Sequence, residues 1–210
     1  GHGDSSDSKT EVLPPNFVFS PEDKFYYGPA TCEFLHYRSA AILGAAIEFA
    51  LMGGGTGIAY YLYSSLESLE YFVVWSMAIF FAMSTVMSIL MVYGIVTETP
   101  SFIRPKIVIQ EIEIAALMCL ATFAVVAMCI GLDATNYIFG FVLNVDLMEE
   151  DFGPIWPFNI SILAFMAAAL GVWIRILTIG AWDYLMDKEY FSHPSRTNVP
   201  LEEKSRPEME

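Results

Sequence analysis

Long apolar runs and short polar interruptions alternate along the chain, and the runs fall over 38–63, 71–96, 107–132 and 158–182. Each exceeds the roughly 20 residues that, at about 1.5 Å rise per residue, span the hydrocarbon core of a bilayer. Lipid offers no partner to backbone N–H and C=O groups, so each run must satisfy its own as a helix. The pattern therefore predicts an all-α membrane protein, a bundle of four transmembrane helices over 36–187. A polar tail (1–35) precedes it and an acidic tail (188–210) follows. The first tail contains Pro14, Pro15, Pro21 and Pro29 and shows no period, which reads as extended chain.

Composition agrees with the pattern. At 55% hydrophobic and 16% charged residues the chain does not resemble a soluble domain. A net charge of −14 with ten Lys and Arg argues against nucleic acid as a partner, because phosphate binding needs a basic face. The expected surroundings are membrane lipids and other membrane proteins. Three cysteines, Cys32, Cys119 and Cys129, provide no extracellular disulfide framework.

The basic residues divide without exception. Lys9, Lys24 and Arg38 precede the first helix, Arg104 and Lys106 lie between the second and third, and Lys188, Arg196, Lys204 and Arg206 follow the fourth. The connections over 64–70 and 133–157 hold no Lys or Arg but carry Glu67, Glu70, Asp133, Asp146, Glu149, Glu150 and Asp151. The positive-inside rule then predicts that both termini are cytosolic.

Four ionisable residues fall inside the spans: Glu48, Glu111, Glu113 and Arg175. Each costs roughly 2.5–3.5 kcal/mol at mid-helix, so each is expected to face the bundle interior with a partner. Counting residues puts Glu48 roughly 15 Å in from Arg38, Glu113 roughly 10 Å in from Lys106, and Arg175 roughly 10 Å from Trp182. These depths predict a buried Glu48–Arg175–Glu113 cluster, with Glu111 on another face pointing toward the headgroups. The cluster reads either as a packing device or as a proton or substrate site. Small residues (Gly44, Ala45 and Ala46, then Gly53, Gly54, Gly55 and Gly57, with Ser84 and Ser88 one turn apart) suit close helix packing.

No HExxH, CxxC, GxSxG or P-loop is present, so no catalytic residue, metal site or cofactor is expected. Three modification patterns occur. Gly1 with Ser5 fits a loose myristoylation pattern, and Cys32 is placed for palmitoylation. Asn159-Ile160-Ser161 is a glycosylation sequon, set close against the fourth helix.

Cys32 and His36-Tyr37-Arg38-Ser39 ahead of Ile42-Leu43-Gly44, Val92-Tyr93-Gly94-Ile95 closing the second helix, and Phe102-Ile103-Arg104-Pro105 opening the third form one set. With an acid at Glu113, a basic Arg175 in the fourth helix, then Trp182 and Tyr184-Leu185-Met186-Asp187-Lys188, the set resembles the lysosome-associated transmembrane (LAPTM) proteins and their invertebrate relatives. The likeness covers most of 32–190. It implies a four-span protein of late endosomes or lysosomes acting in trafficking. That family recruits ubiquitin ligases through PPxY motifs and WW domains. Here Pro14-Pro15-Asn16-Phe17 has Phe for Tyr and lies in the other tail, so a WW-domain ligase is only weakly supported. A second resemblance is carried by Glu33, His36 and Arg38, which match the ExxHxR pigment-ligating motif of light-harvesting proteins; the second copy of that motif is missing.

The leading reading is a non-enzymatic integral membrane protein of the endosomal and lysosomal system, acting in trafficking or as a partner and regulator of other membrane proteins. The alternatives are a small transporter or accessory transporter subunit using the Glu-Arg-Glu cluster, and a structural subunit of a large membrane complex, with pigment binding as a variant.

Overall fold

The structure, a computed structural model, describes residues 20–192 apart from Glu33. Gly1, Pro14, Pro15, Phe17 and Glu33, and with them the myristoylation, WW-contact and part of the pigment expectations, lie outside the described residues. Six α-helices follow in order: α1 (Tyr37–Ser64), α2 (Tyr71–Val96), α3 (Arg104–Ile130), α4 (Leu132–Phe139), α5 (Val145–Phe152) and α6 (Trp156–Ser192). Four helical stretches, α1, α2, α6 and α3 with the turn before it, are long and apolar enough to cross a membrane. The protein is thus an integral, multi-pass helical membrane protein. Its spans show large hydrophobic side chains outward, among them Phe49, Trp75, Ile89, Phe123 and Met166, as lipid contact requires.

The expected bounds hold closely for α1 and α2 and depart elsewhere. α3 starts at Arg104 rather than 107 because the chain enters it through a 3₁₀ turn, Pro100–Phe102, and Pro105 occupies the first turn, where its missing N–H leaves no bond unmade. α6 runs to Ser192, ten residues past the expected end. At about 1.5 Å per residue it is roughly 55 Å long, well beyond a hydrocarbon core of about 30 Å. The extension is stabilised by packing. Ala181, Tyr184 and Leu185 are buried against Tyr26, Met91, Ile95 and Ile103. The expected connection over 133–157 is not featureless, since it folds into α4 and α5.

One end of the bundle gathers the start of α1, the turn from α2 to α3 and the end of α6. The N-terminal segment lies along α6 there. Tyr26 donates to Asp187 Oδ2 at 3.0 Å, and Trp173 Nε1 donates to the Ala30 carbonyl at 2.9 Å. Between them the Tyr37 ring lies so close to Gly180 that a Cβ added there would stand 2.6 Å from it. The other end is closed by α4 and α5, where Phe139, Leu143, Val145, Met148 and Trp156 pack on Ala124 and Ala127 of α3. A short antiparallel bridge joins the two connections at that end: Glu70 N–H donates to the Val142 carbonyl at 3.0 Å and Asn144 N–H to Ser68 at 2.9 Å.

Candidate functional site

The most polar place inside the bundle is a knot to which all four spans contribute. Glu48 of α1 receives Ser84 Oγ of α2 at 2.8 Å on Oε1 and Gln110 Nε2 of α3 at 3.1 Å on Oε2. Lys106 of α3 forms an ion pair with Glu48 Oε1 and also donates to Ser84 Oγ at 3.0 Å. Gln110 Nε2 reaches Thr178 Oγ1 of α6 at 3.3 Å, and Thr178 in turn donates to the Ile174 carbonyl. Glu48, Ser84, Lys106, Gln110 and Thr178 are all buried, Lys106 completely.

Local sequence explains how these groups converge. Lys106, Gln110 and Glu113 stand at i, i+4 and i+7 and so share one stripe of α3. On α1, Gly44 stands one turn before Glu48. A Cβ there would lie 3.0 Å from Ile174, so the glycine admits α6 closely enough for Thr178 to join. At the α2–α3 turn, Gly94 has Phe102 and the Thr99 carbonyl against it, and Thr99 N–H donates back to the Gly94 carbonyl at 2.8 Å. That folded-back turn buries Ile103 and carries Lys106 inward with it.

The expected Glu48–Arg175–Glu113 cluster is therefore corrected in its cation. Lys106, placed by the sequence pattern in a loop, is the partner of Glu48. Glu113 meets the Glu48 carboxyl and feels the charge of Lys106, so a second carboxyl lies beside the ion pair. Arg175 turns instead to Glu111, with Nη2 3.4 Å from Oε2, and both side chains are partly exposed. The reason is rotational: the buried stripe of α6 runs through Ile174, Leu177, Thr178 and Ala181, and Arg175, about 100° round the helix from Ile174, lies at its edge. Glu111 lies on a different face from Glu113, as expected. Lys106, Gln110 and Thr178 are the members that sequence reasoning missed, and for the first two their i, i+4, i+7 spacing with Glu113 was the available signal.

The remaining sequence-predicted residues have other places. His36 caps α1, its Nδ1 accepting from the Arg38 N–H at 3.2 Å, and its ring meets Tyr184 edge-on at 4.5 Å. Burial, and the adjacent Arg38 guanidinium, hold this imidazole below its ordinary pKa, which keeps Nδ1 available as an acceptor. Arg38 donates to the Ile95 carbonyl at the end of α2 and pairs with Glu98 at 3.6 Å. Glu98, held at φ 56°, also pairs with Lys188. Its hydrogen bond to Lys188 keeps its carboxyl below the usual glutamate range. Tyr26 is pushed well above the ordinary phenol range by burial and by Asp187, so it remains a donor. Cys32 is exposed at φ 52°. Asn159 is exposed within the first turn of α6, not in a loop. Among the described residues no three His, Cys, Asp or Glu side chains converge as a metal site would need.

Beside the knot lies a cavity of about 680 Å³ among α1, α2, α3 and α6. Glu48, Gln110 and Glu113 line it, with aliphatic and aromatic side chains making up most of the rest.

A known protein matches the sequence along most of its length. Over 194 residues, 92% of this chain and 95% of the relative, the sequence is 41% identical to Protein cuti-1 of Caenorhabditis elegans. The chain belongs to the cuti-1 family. No family model matches it, and no solved structure does. The name cuti-1 states no activity.

Proposed function

We propose that this protein is a non-enzymatic partner or regulator of other membrane proteins, working in the endosomal and lysosomal system. The observation that carries the role is the knot. The buried ion pair and its polar neighbours join all four spans, so the intramembrane charges serve to fix one packing of the bundle. Lys106 is committed to Glu48 and Ser84, which makes it a fixed counter-charge. A bundle locked in this way presents constant outer faces to its neighbours, which suits recognition by other membrane helices. The compartment rests on the resemblance to the LAPTM proteins. The orientation, with both termini cytosolic, rests on Lys and Arg gathering at the end formed by the start of α1, the α2–α3 turn and the end of α6.

The test is purification of the tagged full chain in mild detergent with mass spectrometry of what accompanies it, alongside imaging against endosomal and lysosomal markers. A reproducible set of membrane proteins, with label in those organelles, is the expected result. A solitary protein, or one confined to another membrane, overturns the reading.

A further inference from the structure

The cavity next to the knot has a composition that neither the partner role nor helix packing requires. Its volume of about 680 Å³ lies within the range of roughly 300–1,000 Å³ typical of small-molecule sites, which pair apolar walls with a few placed polar groups. The walls include Leu51, Phe80, Leu117, Leu163 and Leu170 with the hydroxyl residues Thr56 and Ser76 among them, and Glu48, Gln110 and Glu113 supply the carboxyl and amide groups.

Hydrogen-bond accounting at that end leaves acceptors over. The Lys106 ammonium is held by Glu48 and Ser84, and the Gln110 amide nitrogen by Glu48 and Thr178. The Gln110 Oε1, in a residue only 2% exposed, has no partner. Glu113 brings a second carboxyl, hydrogen-bonded to that of Glu48, to a place that holds one ammonium. A buried acceptor without a donor is costly, and two adjoining carboxyl groups beside a single ammonium favour a second cation. A group that is both a donor and a cation answers the Gln110 oxygen and the pair of carboxyl groups together, while the walls ask for an aliphatic body.

We propose that the cavity binds a membrane-soluble long-chain amine, its ammonium against Glu113 and Gln110 Oε1 and its alkyl chain along the walls from α1, α2, α3 and α6. The site is independent of the partner role argued above. Either can fail while the other stands.

The test uses the full chain in phosphatidylcholine nanodiscs, with thermal melting and native mass spectrometry in the presence of octadecylamine, octadecan-1-ol or stearic acid. Octadecylamine should raise the melting temperature and bind about tenfold tighter than the alcohol, with stearic acid weakest, as expected for one charge-assisted contact. Glu113→Gln should reduce the amine to the level of the alcohol. Ala167→Phe, which fills the cavity and leaves the carboxyl groups alone, should abolish binding of both. An alcohol that binds as tightly as the amine, or three probes without effect, overturns the proposal. Because that ranking is read on the unaltered protein, a variant that fails to fold does not shield it.

Discussion

The two ends of the bundle are closed by different physics. At the end where the chain enters α1 and leaves α6, discrete polar contacts overlie an apolar cluster: Tyr26 to Asp187, Arg38 to the Ile95 carbonyl, Lys188 and Arg38 on Glu98. Lys106 carries that polarity inward to Glu48. At the opposite end, closure is apolar: Phe139 meets Trp156 edge-on at 5.6 Å, and Leu143, Val145 and Met148 complete the cluster. Its acidic residues find no ion pair among the described residues, and its only strand-like feature is a backbone bridge. The polar end adds specific partners and protonation to its packing, whereas the apolar end depends on volume alone. Substitution and pH should separate them.

The largest effect belongs to the inner member of the polar end. Lys106→Met strands the Glu48 carboxylate and should destabilise by about 3–5 kcal/mol, read as melting temperature in detergent. Pairing it with Glu48→Gln should restore much of the loss, since no buried charge is then left alone. Arg175→Leu should cost clearly less than Lys106→Met, because its ion pair with Glu111 is partly exposed; an equal loss would return Arg175 to the core of the site. At the apolar end, Trp156→Ala removes a buried side chain packed on Phe139 and should cost about 3 kcal/mol, with no change in pH dependence.

Overpacking gives the next effect. Gly180→Ala places a methyl group against the Tyr37 ring and should destabilise by about 2 kcal/mol, whereas Gly54→Ala, with open space around it, should be neutral or stabilising in the same melt. The smallest effect is electrostatic and confined to the polar end. The folded-state pKa of Glu98 is depressed, so its contribution is present above the ordinary glutamate range and is lost as pH falls through the lowered value. The His36 pKa is also depressed, so the folded state gains from deprotonation and is weakened as pH falls below about 6.5, the ordinary histidine value. Hydrogen exchange should show the N-terminal segment and the last turns of α6 loosening first under acid, with α4 and α5 unaffected. Loosening of α4 and α5 at the same pH would erase the distinction between the ends.

Much of this was legible in the chain. Four apolar runs separated by polar turns are enough to give four spans, since lipid permits hardly any other backbone solution. The separation of basic from acidic connections marked the two ends as different before any contact was known. The bounds of α1 and α2 followed from hydropathy because those helices end where their apolar pattern ends. α6 does not. Its last ten residues are amphipathic, and they hold their helix because Tyr26, the α2–α3 turn and Lys188–Glu98 cover them, a partnership of residues far apart in sequence.

Sequence alone determined that the charges inside the bundle needed partners, because an isolated charge in lipid is too costly to leave unmatched. It also determined that Glu111 and Glu113 lie on different faces, since residues two apart on a helix diverge. Only the tertiary structure decided which cation answers Glu48. Counting depth along each helix favoured Arg175, but partnership also depends on rotation about the helix axis and on how far each helix is set into the bundle. The turn folded onto Gly94 buries Ile103 and brings Lys106 in, while the buried stripe of α6 runs through Ile174, Thr178 and Ala181 and leaves Arg175 at its edge, against Glu111. Those are relations between helices, and a single chain of letters fixes them only through the packing it finally adopts.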